Sequence, residues 1–172
     1  MLQEFTQEIE NTARAVVDSI HTAIPAKIIE FNQYKCNAKV KPYGKFRLSN
    51  GVSVSFPEVS EVPVLFPLST SSGIGISFPV LSGDDCLLIV SEIELDAWRN
   101  KAESESYLKF DLTSAVAILG LARIATQTSI IANSQKAVVI SAGNNQVIVS
   151  QSSITINGNV TINGSISANN LH

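Results

Sequence analysis

Apolar side chains recur at Leu2, Phe5, Ile9, Ala13, Val16, Val17 and Ile20, with Glu4, Glu8, Arg14 and Asp18 between them. That spacing predicts a one-faced helix over residues 1–22, which Pro25 helps to end. A helix this short with a narrow apolar stripe is marginal alone, so it must lie on its own barrel, on a copy of itself or on another protein. From residue 24 the period changes. Lys27 to Phe31, Lys39 to Val40, Val52 to Phe56, Val62 to Phe66, Gly75 to Phe78 and Cys86 to Val90 are short β-prone runs, punctuated by Pro42-Tyr43-Gly44, Asn50-Gly51, Pro57, Pro67, Ser72-Gly73 and Gly83-Asp84. They predict an antiparallel barrel of OB size over residues 23–111. A charged cap, Glu92 to Glu105, completes this domain and holds Trp98.

Residues 112–172 read differently. No carboxylate follows Asp111, and no charged side chain stands between Lys136 and His172. A charge-free β-prone segment aggregates unless its strands are paired and its apolar faces covered. A repeat of six residues shows how: Ile154-Thr155-Ile156-Asn157-Gly158-Asn159 is followed by Val160-Thr161-Ile162-Asn163-Gly164-Ser165, and then by Ile166-Ser167. Val138/Ile140 and Val147/Val149 alternate in the same way. The first and third residues of each unit point to one side and Thr or Ser to the other, while Asn-Gly supplies a turn. A single-chain β-helix of hexapeptides needs several coils of about 18 residues each, more than this repeat supplies. Three chains around one axis remove the shortage. Val147, Val149, Ile154, Ile156, Val160, Ile162 and Ile166 of each chain then form a shared trimer core, in an intertwined triple-stranded β-helix without open edges.

Composition narrows the function. A net charge of −3 and a pI near 5.3 argue against binding nucleic acid, which needs clustered Lys and Arg. Cys36 and Cys86 sit in separate apolar runs and read as two buried thiols in strands. Glu4, Glu8 and Glu10 interrupt the positions a signal peptide would need apolar, and the block Ala115 to Leu121 is too short to span a membrane, so a protein made and assembled in the bacterial cytoplasm is expected. No catalytic residue is predicted. The chain lacks a GxSxG elbow, His21 sits at the helix end without a triad, Gly73-Ile74-Gly75 reads as a turn into a strand, and no carboxylate pair has the setting of a glycosidase.

Helix, barrel and β-helical tail, in that order, resemble the central spike proteins of contractile phage tails and tailocins, of the baseplate protein V type with a spike N-terminal OB domain. The stretches that carry the resemblance are Ile24 to Phe31, Glu61 to Pro67, Gly83 to Val90 and Asp111 to Leu121, although Leu119 stands where the family usually has proline before the glycine. The resemblance implies a non-enzymatic homotrimer at the end of the tail tube. Its barrel end plugs the hub and its tip pierces the target cell envelope on contraction, in a virion or tailocin baseplate. It also implies a hub interface on Leu2, Phe5, Ile9, Val16 and Ile20. Spikes of this kind can hold a tip iron between histidines of three chains, which makes His172 a candidate ligand. The family's tip usually reads His-x-His, whereas Asn170 stands where the second histidine would fall, so a tip without metal or a separate small tip protein are the other expectations. Two rival functions remain. A hexapeptide-repeat acyltransferase needs many more repeats and an active-site histidine between subunits. A trimeric adhesin or receptor-binding fibre stem needs a head, for which little chain is left after Ile166.

Overall fold

The computed structural model describes residues 2–48, 51–103 and 109–167. It divides into two compact units, Met1–Leu121 and Ala122–His172. The first unit opens with α1 (Leu2–Ser19), followed by β1 (Ala23–Asn32), β2 (Asn37–Pro42), β3 (Lys45–Arg47), β4 (Ser53–Ser55), β5 (Val59–Leu65), β6 (Leu68–Ser69), β7 (Ile74–Gly75) and β8 (Asp85–Val90). After α2 (Leu95–Arg99) and a 3₁₀ turn at Leu112–Ser114, β9 (Ala115–Leu119) ends the unit.

Five of these strands close a barrel in the order β1-β2-β5-β9-β8. All neighbours run antiparallel except β5 and β9, which pair in parallel through Val64 with Ala117 and Leu65 with Ile118. A closed five-stranded barrel with one crossover suits the OB type. Its interior is narrow, and the inward positions are accordingly small: Ala26, Ala38, Val40, Val62, Ala115 and Ala117 are buried, with Ile28, Leu88 and Cys86 the larger fillers. Inward residues alternate with outward ones along β2 and β8, as a barrel wall requires.

The regular pairing shifts twice, between Ile28 and Glu30 in β1 and in β5. Val59 and Val62 are both buried although three positions apart, and they stand opposite Val40 and Ala38, which are only two apart. Glu61 absorbs the extra residue as a bulge, at φ 57. The β1–β2 turn is set by Asn32, whose Oδ1 accepts from the backbone N–H of Tyr34 at 3.0 Å and of Lys35 at 3.1 Å.

Three sequence-based expectations change here. The barrel runs on to Leu119, past the end expected at residue 111, because Ala115 and Ala117 supply the small inward side chains of its fifth strand. The runs at Val52 to Phe56 and Gly75 to Phe78 contribute only short strands to two-stranded arms, β3–β4 and β6–β7, outside the barrel. Cys86 is buried in β8, but Cys36 is exposed in the β1–β2 turn at φ 52.

The second unit holds α3 (Gln127–Gln135), β10 (Val138–Ala142), β11 (Asn145–Val149) and β12 (Ile154–Asn157). The three strands form an antiparallel meander. Gly143, at φ 61, opens the two-residue β10–β11 loop, the position where a type II′ turn places glycine. Thr126 and Ser129 cap α3 reciprocally: Thr126 Oγ1 accepts from Ser129 N at 3.2 Å, and Thr126 N donates to Ser129 Oγ at 3.0 Å. No strand is formed by residues 158–167, where the second hexapeptide and the start of the third lie.

Candidate assembly surfaces

The described residues offer little to chemistry. A cleft of about 720 Å³ at the barrel is lined by His21, Phe46, Phe56, Asp111 and Thr113 among others. His21 meets Phe56 edge-on with ring centroids 5.6 Å apart, and Phe46 meets Phe56 at 5.4 Å. Asp111 accepts from the Thr113 hydroxyl and, at 2.9 Å, from the Thr113 backbone N–H. Those two bonds hold its carboxyl below the ordinary range, against the opposing effect of burial. A carboxylate tied to its own 3₁₀ turn is a cap and a poor general acid. Among the described residues, no group of three or more His, Cys, Asp or Glu side chains is placed to hold a metal. His172, the candidate iron ligand, lies outside the described residues.

Surfaces are more informative. The side chains of Phe5, Ile9 and Val16 on α1, and of Ile20 just past its end, are all exposed, so the predicted stripe exists and its own barrel does not cover it. The fifth residue expected there, Leu2, starts the helix, but its side chain lies outside what the structure describes.

The tail sheet presents a second apolar surface, and register shows which residues share it. Val138 stands opposite Val149, which stands opposite Ile154; Ile140 stands opposite Val147, which stands opposite Ile156. Cross-strand partners point to the same side, so six aliphatic side chains in two rows make up one face. Val138, Ile140, Ile154 and Ile156 are 65%, 57%, 69% and 54% exposed, Val149 is exposed and Val147 half-buried. The opposite face carries Val139, Ser141 and Ile148. At β10 and β11 it is covered: α3 packs on β10, the Thr128 and Ser141 hydroxyls are hydrogen-bonded, and Ile148 is buried.

Four of the seven residues expected in a trimer core, Val147, Val149, Ile154 and Ile156, therefore lie together on that open face. Val160, Ile162 and Ile166 are exposed in the segment beyond β12 and join no strand. Val138 and Ile140 complete the face, a position that their alternation alone did not reveal. The β6–β7 arm adds exposed Leu68, Ile74 and Ile76, whose signal in the sequence was only a short apolar run around Gly75. No helix among the described residues is long and apolar enough to cross a membrane.

No curated protein shows significant similarity to the chain. The family model of the phage protein Gp138 N-terminal domain matches residues 24–120, which coincide with the barrel from β1 to β9 and make up more than half of the chain. The chain therefore belongs to the Gp138 N-terminal domain family, which makes it a phage structural protein and a component of the virion.

Proposed function

We propose that this chain is the central spike of a contractile-tail baseplate, a homotrimer whose barrel end joins the hub through the α1 end and whose tail forms a β-helical needle that pierces the target envelope. The observation that carries the reading is the open face of Val138, Ile140, Val147, Val149, Ile154 and Ile156, in a tail without charge after Lys136. Such a face stays in water only at high cost, since each aliphatic side chain fully removed from water contributes about 1.5–3 kcal/mol. Three copies around a threefold axis turn the three faces inward and enclose them. Family membership supports a place in the virion, and a spike of this kind works by stiffness. Sheath contraction supplies the force, and a hydrogen-bonded needle transmits it.

Light scattering tests the assembly. A mass near three times 18.4 kDa is expected at low micromolar concentration, and a monomer overturns the reading. Metal analysis on the same sample decides the tip: one iron per three chains assigns His172 as its ligand, and no iron leaves a metal-free tip or a separate tip protein. Deletion of residues 1–22 is expected to abolish incorporation into particles while leaving a folded trimer.

A further inference from the structure

The spacing within α1 says what covers its stripe. Leu2, Phe5, Ile9, Ala13 and Val16 in α1, and Ile20 directly after it, are separated by three, four, four, three and four positions, so the pattern Leu2-Phe5-Ile9 repeats at Ala13-Val16-Ile20 after eleven residues. Eleven residues in three turns come close to the natural 3.6 of a straight helix, whereas a seven-residue repeat must supercoil to the left. From Leu2 to Val16 the stripe therefore runs almost parallel to the helix axis, the form a seam takes between nearly straight helices. Phe5, Ile9, Val16 and Ile20 are 63%, 54%, 57% and 44% exposed.

Charge points to the occupant. At about 100° per residue, the positions that border the stripe on its two sides are Thr6 and Thr12. Glu4, Glu8, Glu10 and Arg14 lie outside them. Helices of identical sequence packed in register bring identical border residues together, and a border of carboxylates would repel itself. A border of threonines does not. A hub protein meeting α1 would impose no such restriction on its flanks, because a foreign surface can supply the opposite charge. The helix is acidic on its outer side, yet the seam is bordered by neutral residues, as self-association requires.

We infer that three copies of α1 pack against one another through this stripe, as a parallel, nearly straight three-helix bundle. The inference rests on the homotrimer proposed above, whose threefold axis makes the helices parallel and holds them in register. It reassigns the stripe: Phe5, Ile9 and Val16 face the other copies, and the hub reads the outer polar side of the bundle, which carries Gln7, Asn11 and Arg14.

Cysteine cross-linking of the full chain tests this. With Cys36→Ser as background, Ile9→Cys and Val16→Cys place a thiol in the seam, and Gln7→Cys places one on the opposite side. A disulfide requires Cα atoms within about 7 Å, which only a seam position offers. Under copper-catalysed air oxidation, the Ile9→Cys and Val16→Cys proteins are expected to give covalent dimers involving two of every three chains, and Gln7→Cys to remain uncrosslinked in a denaturing gel. A protein that is trimeric by light scattering but cross-links no better at Ile9 and Val16 than at Gln7 overturns the bundle and leaves the spike reading standing. A monomeric protein overturns both.

Discussion

The Tyr43 hydroxyl donates a hydrogen bond of 2.8 Å to Asp85 Oδ1, which joins the residue after β2 to the first residue of β8 across the middle of β1. The same region of the barrel is held by Tyr43 N, which donates to the Pro25 carbonyl at 2.8 Å. A hydroxyl bonded to a carboxylate is charge-assisted and is worth about 1.5–3 kcal/mol. Tyr43→Phe keeps the ring and removes the hydroxyl that makes this bond. The expected outcome is a destabilisation of about 1–2 kcal/mol, seen as a lower denaturant midpoint with an unchanged slope.

Glu61 occupies the bulge of β5 at φ 57, a region that costs a residue with a Cβ about 1 kcal/mol. Its ion pair with Lys35, at 3.4 Å, joins two exposed side chains and contributes little. Glu61→Gly is therefore expected to leave the barrel as stable as before or to stabilise it by up to about 1 kcal/mol. Val62→Ala, one residue on and inside the barrel, is expected to cost about 1–3 kcal/mol. Thermal unfolding of the two variants should separate them in sign.

The two thiols are expected to react very differently. Cys36 is exposed, whereas Cys86 is buried and its thiol is pushed up to about 11, first by burial and then by the neighbouring Asp85 and Asp84 carboxylates. A thiol reagent at pH 8 should modify one thiol per native chain and two after denaturation. Stability should also depend on alkaline pH. The folded chain holds the Cys86 proton above the ordinary value of 9.0, so this contribution is whole below pH 9 and is lost as pH rises through about 11. Cys86→Ala should remove that alkaline slope, which denaturant titrations at pH 8, 9 and 10 would reveal.

Ile140 and Ile156 lie in one row of the open sheet face. A carboxylate placed in a core shared by three chains leaves buried like charges around the axis. Ile156→Asp is expected to abolish the trimer, and Thr155→Asp, on the other side of the same strand, to leave more of it intact. Sedimentation of the two variants at equal concentration measures the difference. Equal masses would mean that this face is not the one the chains share.

Periodicity and turn chemistry made much of the fold legible. The stripe from Phe5 to Ile20 predicted α1, and four of six β-prone runs became barrel strands. The fifth barrel strand was harder to place because the block Ala115 to Leu121 is apolar throughout, so no alternation marks Ala115 and Ala117 as its inward residues. Packing decided their place, since only small side chains fit that interior. The helix α3 had no visible signature: its residues are uncharged and form no apolar stripe, and the signal that marks it is the reciprocal cap between Thr126 and Ser129. Cys36 was misplaced because an apolar neighbourhood in the sequence does not reveal a turn that Asn32 dictates. Of the tail, Ile154 and Ile156 were legible through alternation, but the face they share with Val138 and Ile140 depends on hairpin register, which single-strand patterns do not contain.

The parallel pairing of β5 with β9 has a consequence during synthesis. The strand that closes the barrel is its last in the chain, and it follows its parallel neighbour only after β8, α2 and the 3₁₀ turn. Until Leu119 has left the ribosome, the edges of β5 and β8 wait for a partner, and such long-range pairing is slow. The tail is made immediately afterwards. Translation thus completes the barrel of each chain just before it releases the tail with its open apolar sheet face, which leaves the nascent protein with fewer open edges when its most association-prone part appears.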